Sequence, residues 1–205
     1  MNDVITGLVE RMKNGDEEAF DSLYEIYVKK LYSAAYLISG SRSDSEDIVQ
    51  ETFVKCFLRK DTIRDERAFE NWLFRIMVRT AWRYVKRRPK DCSFDEMLEQ
   101  DGEKYSGEWI QIDRDTLQPL EEVILREEQE KLREAVSSLE VKQRTVIVLY
   151  YYNELSVRDI ARITGSLEGT VKSRLHKGRE NLRVYLNNLK EGSSETKRRR
   201  EYEMV

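Results

Sequence analysis

The chain predicts an all-α protein: two small helical domains joined by a flexible acidic linker, the C-terminal one a helix-turn-helix domain. Three observations carry that prediction. Among 205 residues there are 2 prolines and 9 glycines, and 37% are charged, the composition of a soluble and mainly helical chain. Apolar residues recur at three- and four-residue spacing over two long blocks. Between Asp91 and Gln118 that spacing disappears, over a stretch longer than an ordinary connection inside a compact domain.

The elements follow in order. In the first domain, residues 1–90, Phe20, Leu23, Tyr24, Tyr27 and Leu31 form one amphipathic stripe. Gly40 and the Ser-rich GSRSDS break it from a second, Ile48, Val49, Thr52, Phe53 and Cys56. The polar RKDTIRDERA separates that from a third, Phe69, Trp72, Leu73, Ile76 and Met77. Residues 91–118 form the linker, with many acidic residues against only Lys104 and Arg114. The second domain spans 119–189: Leu132, Ala135, Val136 and Leu139 lead into Val146, Ile147 and Leu149. Residues 190–205 read as a disordered tail with a basic cluster.

Leu155 to Arg183 reads as two helices joined by a glycine turn. Ser156 is a natural N-cap with Asp159 three residues on, opening a helix whose inner side carries Val157, Ile160, Ala161 and Ile163. Gly165 ends it. Val171, Leu175, Gly178 and Leu182 then form the inward stripe of a second helix, so Lys172, Ser173, His176 and Lys177 point outward. In helix-turn-helix proteins such a face enters the major groove, where these side chains reach base edges and phosphates. A helical hairpin with a solvated face is the plain alternative. The charge is too lopsided for it, with seven Arg or Lys against Asp159, Glu168 and Glu180.

Trp72 to Lys90 carries seven basic residues and no acidic one, with Trp72, Trp82 and Tyr84 interleaved. Cations neutralise phosphates and aromatic faces stack on bases that have left the duplex, which suits single-stranded or melting DNA. Trp72 falls on the apolar stripe and reads as core. A basic amphipathic helix also suits a membrane surface or an acidic partner, but a second basic element of different chemistry argues against both. The preceding helix, Ser45 to Phe57, is acidic.

The formal net charge of -3 conceals this segregation. No apolar run approaches the ~20 residues a membrane span needs, and the N-terminus lacks the basic-then-apolar order of a secretory signal, so a cytoplasmic protein is expected. Cys56 and Cys92 are isolated and there is one His, which indicates neither a zinc site nor a disulfide framework. Cys56 reads as a small core residue.

Three segments, SEDIVQETFVKCF, FENWLFRIMVRTAWRYVKRR and GTVKSRLHKGRENLR, stand in this order around a variable acidic linker. Together they resemble the extracytoplasmic-function sigma factors of bacterial RNA polymerase, in the sigma-70 family. The resemblance implies a non-enzymatic specificity subunit with no cofactor or metal of its own. Its partners would be core RNA polymerase (the beta-prime clamp helices and the beta subunit), promoter DNA and an anti-sigma factor, without membrane insertion. Asp47, Gln50, Glu51 and Phe53 would bind the core enzyme. Arg75, Arg79, Trp82, Arg83 and Arg87 would read and open the minus-ten element. Lys172, Ser173, Arg174, His176 and Lys177 would contact the minus-thirty-five element.

The sequence also departs from that family. Many relatives carry Asn and Asp where this chain has Arg79 and Arg83, which bears on minus-ten preference rather than on binding strength. In the turn, the order Ser166–Leu167 is swapped and predicts a recognition helix that starts one residue early, capped by Ser166. Two rivals stand against this reading. A helix-turn-helix regulator that does not bind core polymerase would need a ligand or receiver domain in front, and no alternating strands precede the motif. A non-DNA helical adaptor leaves the basic run around Arg87 unexplained.

Overall fold

The computed structural model of the chain describes residues 2–87 and 130–203, with side-chain surroundings for 3–87 and 130–189; the linker expected at 91–118 lies outside the described residues. The described residues form helices: α1 (Asn2–Lys13), α2 (Glu17–Ser39), α3 (Arg42–Arg59), α4 (Phe69–Arg87), α5 (helical over 130–137), α6 (Val141–Ile147), α7 (Val157–Thr164) and α8 (Glu168–Glu203).

Local chemistry sets the boundaries. Asp16 caps α2 by accepting from the Ala19 amide at 3.2 Å. Gly40, in the left-handed region at φ 74°, closes it with its amide on the Tyr36 carbonyl at 2.7 Å. Ser41 then caps α3 through the Asp44 amide. Between α3 and α4, two short 3-10 turns replace the polar loop, and Ile63 between them is 3% exposed. Lys13 Nζ fixes that segment, donating to the Ile63 carbonyl at 3.0 Å and to Glu66 at 2.6 Å.

Leu23, Tyr27 and Leu31 of α2, Ile48, Val49, Phe53 and Cys56 of α3, and Phe69, Leu73, Phe74 and Met77 of α4 bury together, with Val9 and Met12 of α1. Cys56 is core, and burial pushes its thiol up to about 12. The buried arc of α4 is wider than its sequence stripe. Phe74, Val78, Thr80 and Ala81 are buried, whereas Trp72 and Ile76 are only half-buried. The reason is two sets of neighbours, α2 and α3 from the first bundle and α7 from the second.

In the second bundle, Val146, Ile147, Val148 and Leu149 are all buried in succession. A π-helical turn over Val148–Tyr152 widens the end of α6 there. Gly178 is required where α8 crosses α6, because a Cβ there would lie 2.9 Å from Ile147 Cγ1. Gly178→Ala is therefore expected to lower stability by about 1 kcal/mol in urea unfolding, overpacking outweighing the gain in helix propensity. A rise in stability would mean that Ile147 yields. The backbone of α8 is helical through Glu203, including most of the segment expected to be a disordered tail.

The two bundles are in contact. Arg144 of α6 donates to the Ile38 carbonyl at the end of α2 at 3.0 Å, and to Leu139 and Ser137 carbonyls of its own bundle. Arg133 of α5 donates to the Tyr36 hydroxyl at 2.6 Å. Asn71 of α4 donates to Asp159 of α7 at 2.9 Å. The Trp82 indole N–H donates to Thr145 Oγ1 at 2.9 Å, and that hydroxyl in turn donates to the Val141 carbonyl.

Candidate nucleic-acid interface

The helix-turn-helix forms as its capping residues dictate. Ser156 Oγ accepts from the Asp159 amide at 3.1 Å and donates to the Asp159 carboxylate at 2.6 Å. Gly165 stops α7 at φ 66°, with its amide on the Ala161 carbonyl. Ile160, Ala161 and Ile163 of α7 and Val171 and Leu175 of α8 bury against each other, while Val157 and Leu182 are half-buried.

The start of the recognition helix corrects the expectation for Ser166. Helix α8 begins at Glu168, and the Leu167 carbonyl accepts its first bond, from the Val171 amide at 3.1 Å. The Ser166 hydroxyl instead accepts from Arg174 Nη1 at 3.0 Å. Holding that guanidinium is a better use of the hydroxyl than capping, because Arg174 is half-buried beside the turn. Lys172, Ser173, His176 and Lys177 are exposed, and His176 lies 3.5 Å from Glu180 one turn on. Four of the five candidates thus share an open face, and the fifth braces the turn.

The candidates on α4 divide differently. Arg75, Arg79 and Arg87 are exposed and make no ion pair or hydrogen bond among the described residues. Trp82 is half-buried and committed to Thr145. Arg83 pairs with Glu51 of α3 and lies 5.7 Å from the Tyr84 ring centroid. The open basic row is therefore narrower than the sequence indicates.

On α3, Asp47 and Gln50 are exposed, Glu51 is half-buried and Phe53 is 4% exposed. Phe53 packs against Phe20 and Tyr24, with ring centroids 6.2 and 4.6 Å away. It floors an apolar groove of about 590 Å³ between α2 and α3, walled by Tyr24, Val49, Val54 and Phe57. Val54 and Phe57 are 52% and 44% exposed, a continuous apolar surface of the kind that marks a protein contact. Glu51 accepts from Arg83 and from Lys55 at 2.6 Å, and these bonds hold its carboxyl down to about 2. Among the described residues no cluster of His, Cys, Asp and Glu could hold a metal ion, and no helix is long and apolar enough to cross a membrane.

Sequence reasoning missed the residues that join the bundles: Tyr36, Asn71, Arg133, Arg144, Thr145 and Asp159. A uniform polar composition gave no signal for them, since each alone reads as a solvated or capping side chain.

A bundle pairing an acidic, groove-lined helix with a basic one, followed by a helix-turn-helix with an open cationic face, has the arrangement of a two-part DNA-binding protein. Residues 23–90 match the model of sigma-70 region 2, and residues 129–182 that of sigma-70 region 4. The chain is 33% identical over 189 residues to the ECF RNA polymerase sigma factor SigW of Bacillus subtilis, covering 92% of this chain and 100% of that one. It is 35% identical over 175 residues to the ECF RNA polymerase sigma-E factor of Haemophilus influenzae, covering 84% and 90%. CnrH, in complex with the cytosolic domain of CnrY, is similar in fold, with a TM-score of 0.66 at 22% identity over 90% of this chain and 98% of that one. So is the sigma factor RpoE bound to the anti-sigma factor NepR from Bartonella quintana, with a TM-score of 0.59 at 24% identity over 82% and 96%. The chain belongs to the extracytoplasmic-function family of RNA polymerase sigma factors.

Proposed function

We propose that the chain is the promoter-specificity subunit of a bacterial RNA polymerase, acting in the cytoplasm, with the catalysis supplied by the polymerase. The observation that carries this is the adjacency, in one bundle, of an acidic apolar-grooved helix and an open cationic helix. Each face suits a different partner. Gln50 on the groove, with Phe53 beneath it and Asp47 exposed on the same helix, offers an acidic and apolar seat for the clamp helices of the core enzyme. Arg75, Arg79 and Arg87 offer phosphate contacts at the minus-ten element.

Lys172, Ser173, His176 and Lys177 form the minus-thirty-five contact, presented by the N-terminal half of α8 to the major groove. Arg174 acts on that contact by fixing the turn through Ser166. An anti-sigma factor is the regulatory partner, since the solved complex of RpoE pairs a protein of this fold with the anti-sigma factor NepR, and that of CnrH pairs one with the cytosolic domain of CnrY.

Holding both promoter elements at once requires a second arrangement, with the bundles apart. Elements centred ~25 base pairs apart lie about 85 Å apart along B-DNA at 3.4 Å per base pair. A compact unit of ~160 residues has a radius of gyration of only about 15 Å. The bundles must therefore part for both elements to be held at once, breaking the bonds from Trp82, Asn71, Arg133 and Arg144.

Two single substitutions test the division of labour. Lys177→Ala is expected to weaken binding to minus-thirty-five duplex and to lower the salt dependence by about one phosphate contact, with core affinity unchanged. Asp47→Ala should do the reverse in a competition assay for core enzyme. Equal loss of both activities in either variant would refute the assignment.

A further inference from the structure

Two residues assigned to different partners are paired with each other. By the family resemblance Glu51 of α3 would face the core enzyme and Arg83 of α4 would face DNA, yet the guanidinium donates to the carboxylate. We propose that Glu51 is a positioning residue that withholds Arg83 from DNA in the free chain and releases it when the core enzyme engages α3. This inference rests on the proposed sigma role and deepens it.

Three features of the contact support a hand-off rather than a fixed structural bridge. Arg83 is poorly satisfied where it is: its Nε is buried with no hydrogen-bond partner, so a phosphate that accepts from two of its nitrogens would serve it better. Its side chain is 40% exposed, and strand phosphates can reach it beside the open Arg79 and Arg87. Glu51 does not depend on it either. Lys55 also donates to that carboxylate at 2.6 Å and is itself anchored to Thr80 Oγ1 at 3.0 Å, so the carboxylate keeps a cation when Arg83 leaves.

The competing cation comes from the partner. Glu51 is 27% exposed, next to Asp47 and Gln50 on the same helix, so a basic side chain arriving on that face can share its oxygens. A carboxylate at position 83 could not form this pair with Glu51.

The test uses the full chain, free and as holoenzyme, with a fluorescent single-stranded minus-ten oligonucleotide read by anisotropy across a salt series. In the free chain Arg83→Ala should change affinity less than about twofold, because Arg83 is already withheld, whereas in holoenzyme it should cost roughly tenfold. Glu51→Ala should raise free-chain affinity by roughly three- to tenfold and steepen the salt slope by about 0.7, the increment for one added single-strand phosphate contact. That gain should vanish in Glu51→Ala/Arg83→Ala. Equal loss for Arg83→Ala in both forms, or a gain that survives without Arg83, would overturn the hand-off. Should Glu51→Ala fail to fold, the free-versus-holoenzyme comparison of Arg83→Ala decides by itself. Failure of the native chain to form holoenzyme would instead defeat the sigma role, while the free-chain arms still judge the masking.

Discussion

A reducible cross-link between Asn71→Cys and Asp159→Cys, in a background lacking Cys56 and Cys92, is expected to abolish promoter-dependent transcription until it is reduced. These side chains bridge α4 and α7 at 2.9 Å, so a short linker holds the bundles in the arrangement described. Locking them leaves under about 1% of the chain able to span both promoter elements, and transcription should fall by roughly 100-fold. Binding of the locked protein to isolated minus-thirty-five duplex should persist, because Lys172, Ser173, His176 and Lys177 remain exposed. Full activity of the locked protein would mean that the bundles need not separate.

Phe74→Ala is expected to be the most damaging single substitution for stability. Its ring is fully buried, and the Lys30 ammonium sits 5.7 Å from its centroid. Truncating a buried phenylalanine costs about 3–5 kcal/mol, a large part of the 5–15 kcal/mol that holds a typical domain together. Urea unfolding followed by circular dichroism should show the first bundle close to its folding limit at room temperature. Tyr24→Ala, at a side chain 42% exposed on the same bundle, should cost far less. A loss below about 1 kcal/mol for Phe74→Ala would contradict the packing assigned to α4.

Phe74 also marks where sequence reading stopped. Periodicity placed Phe69, Leu73 and Met77 of α4 correctly, because one face of a helix against one core leaves a narrow stripe. It did not find Phe74, Val78 and Ala81, since α4 packs against α2, α3 and α7 at once, and no local period records how many neighbours a helix has. Helix α1 was legible and passed over: Ile5, Leu8, Val9 and Met12 follow the same spacing.

The functional faces divided in the same way. Local chemistry set the helix-turn-helix, so Ser156, Gly165 and the exposed face from Lys172 to Lys177 could be read directly. Charge, aromatic content and the family resemblance made Trp82 and Arg83 candidates for DNA contact. Each is occupied by a partner distant in sequence, Thr145 and Glu51. Ser166 misled because a serine beside a helix start looks like a cap until Arg174 is known to need it.

The most direct test mixes the purified chain with core RNA polymerase lacking any other sigma factor, on a promoter template recovered from transcripts induced by its overexpression. Transcription should start at defined sites preceded by shared minus-thirty-five and minus-ten sequences, and stop when either element is altered. If the chain binds duplex DNA but transcription begins only when a separate sigma factor is supplied, it is a regulator and not a polymerase subunit.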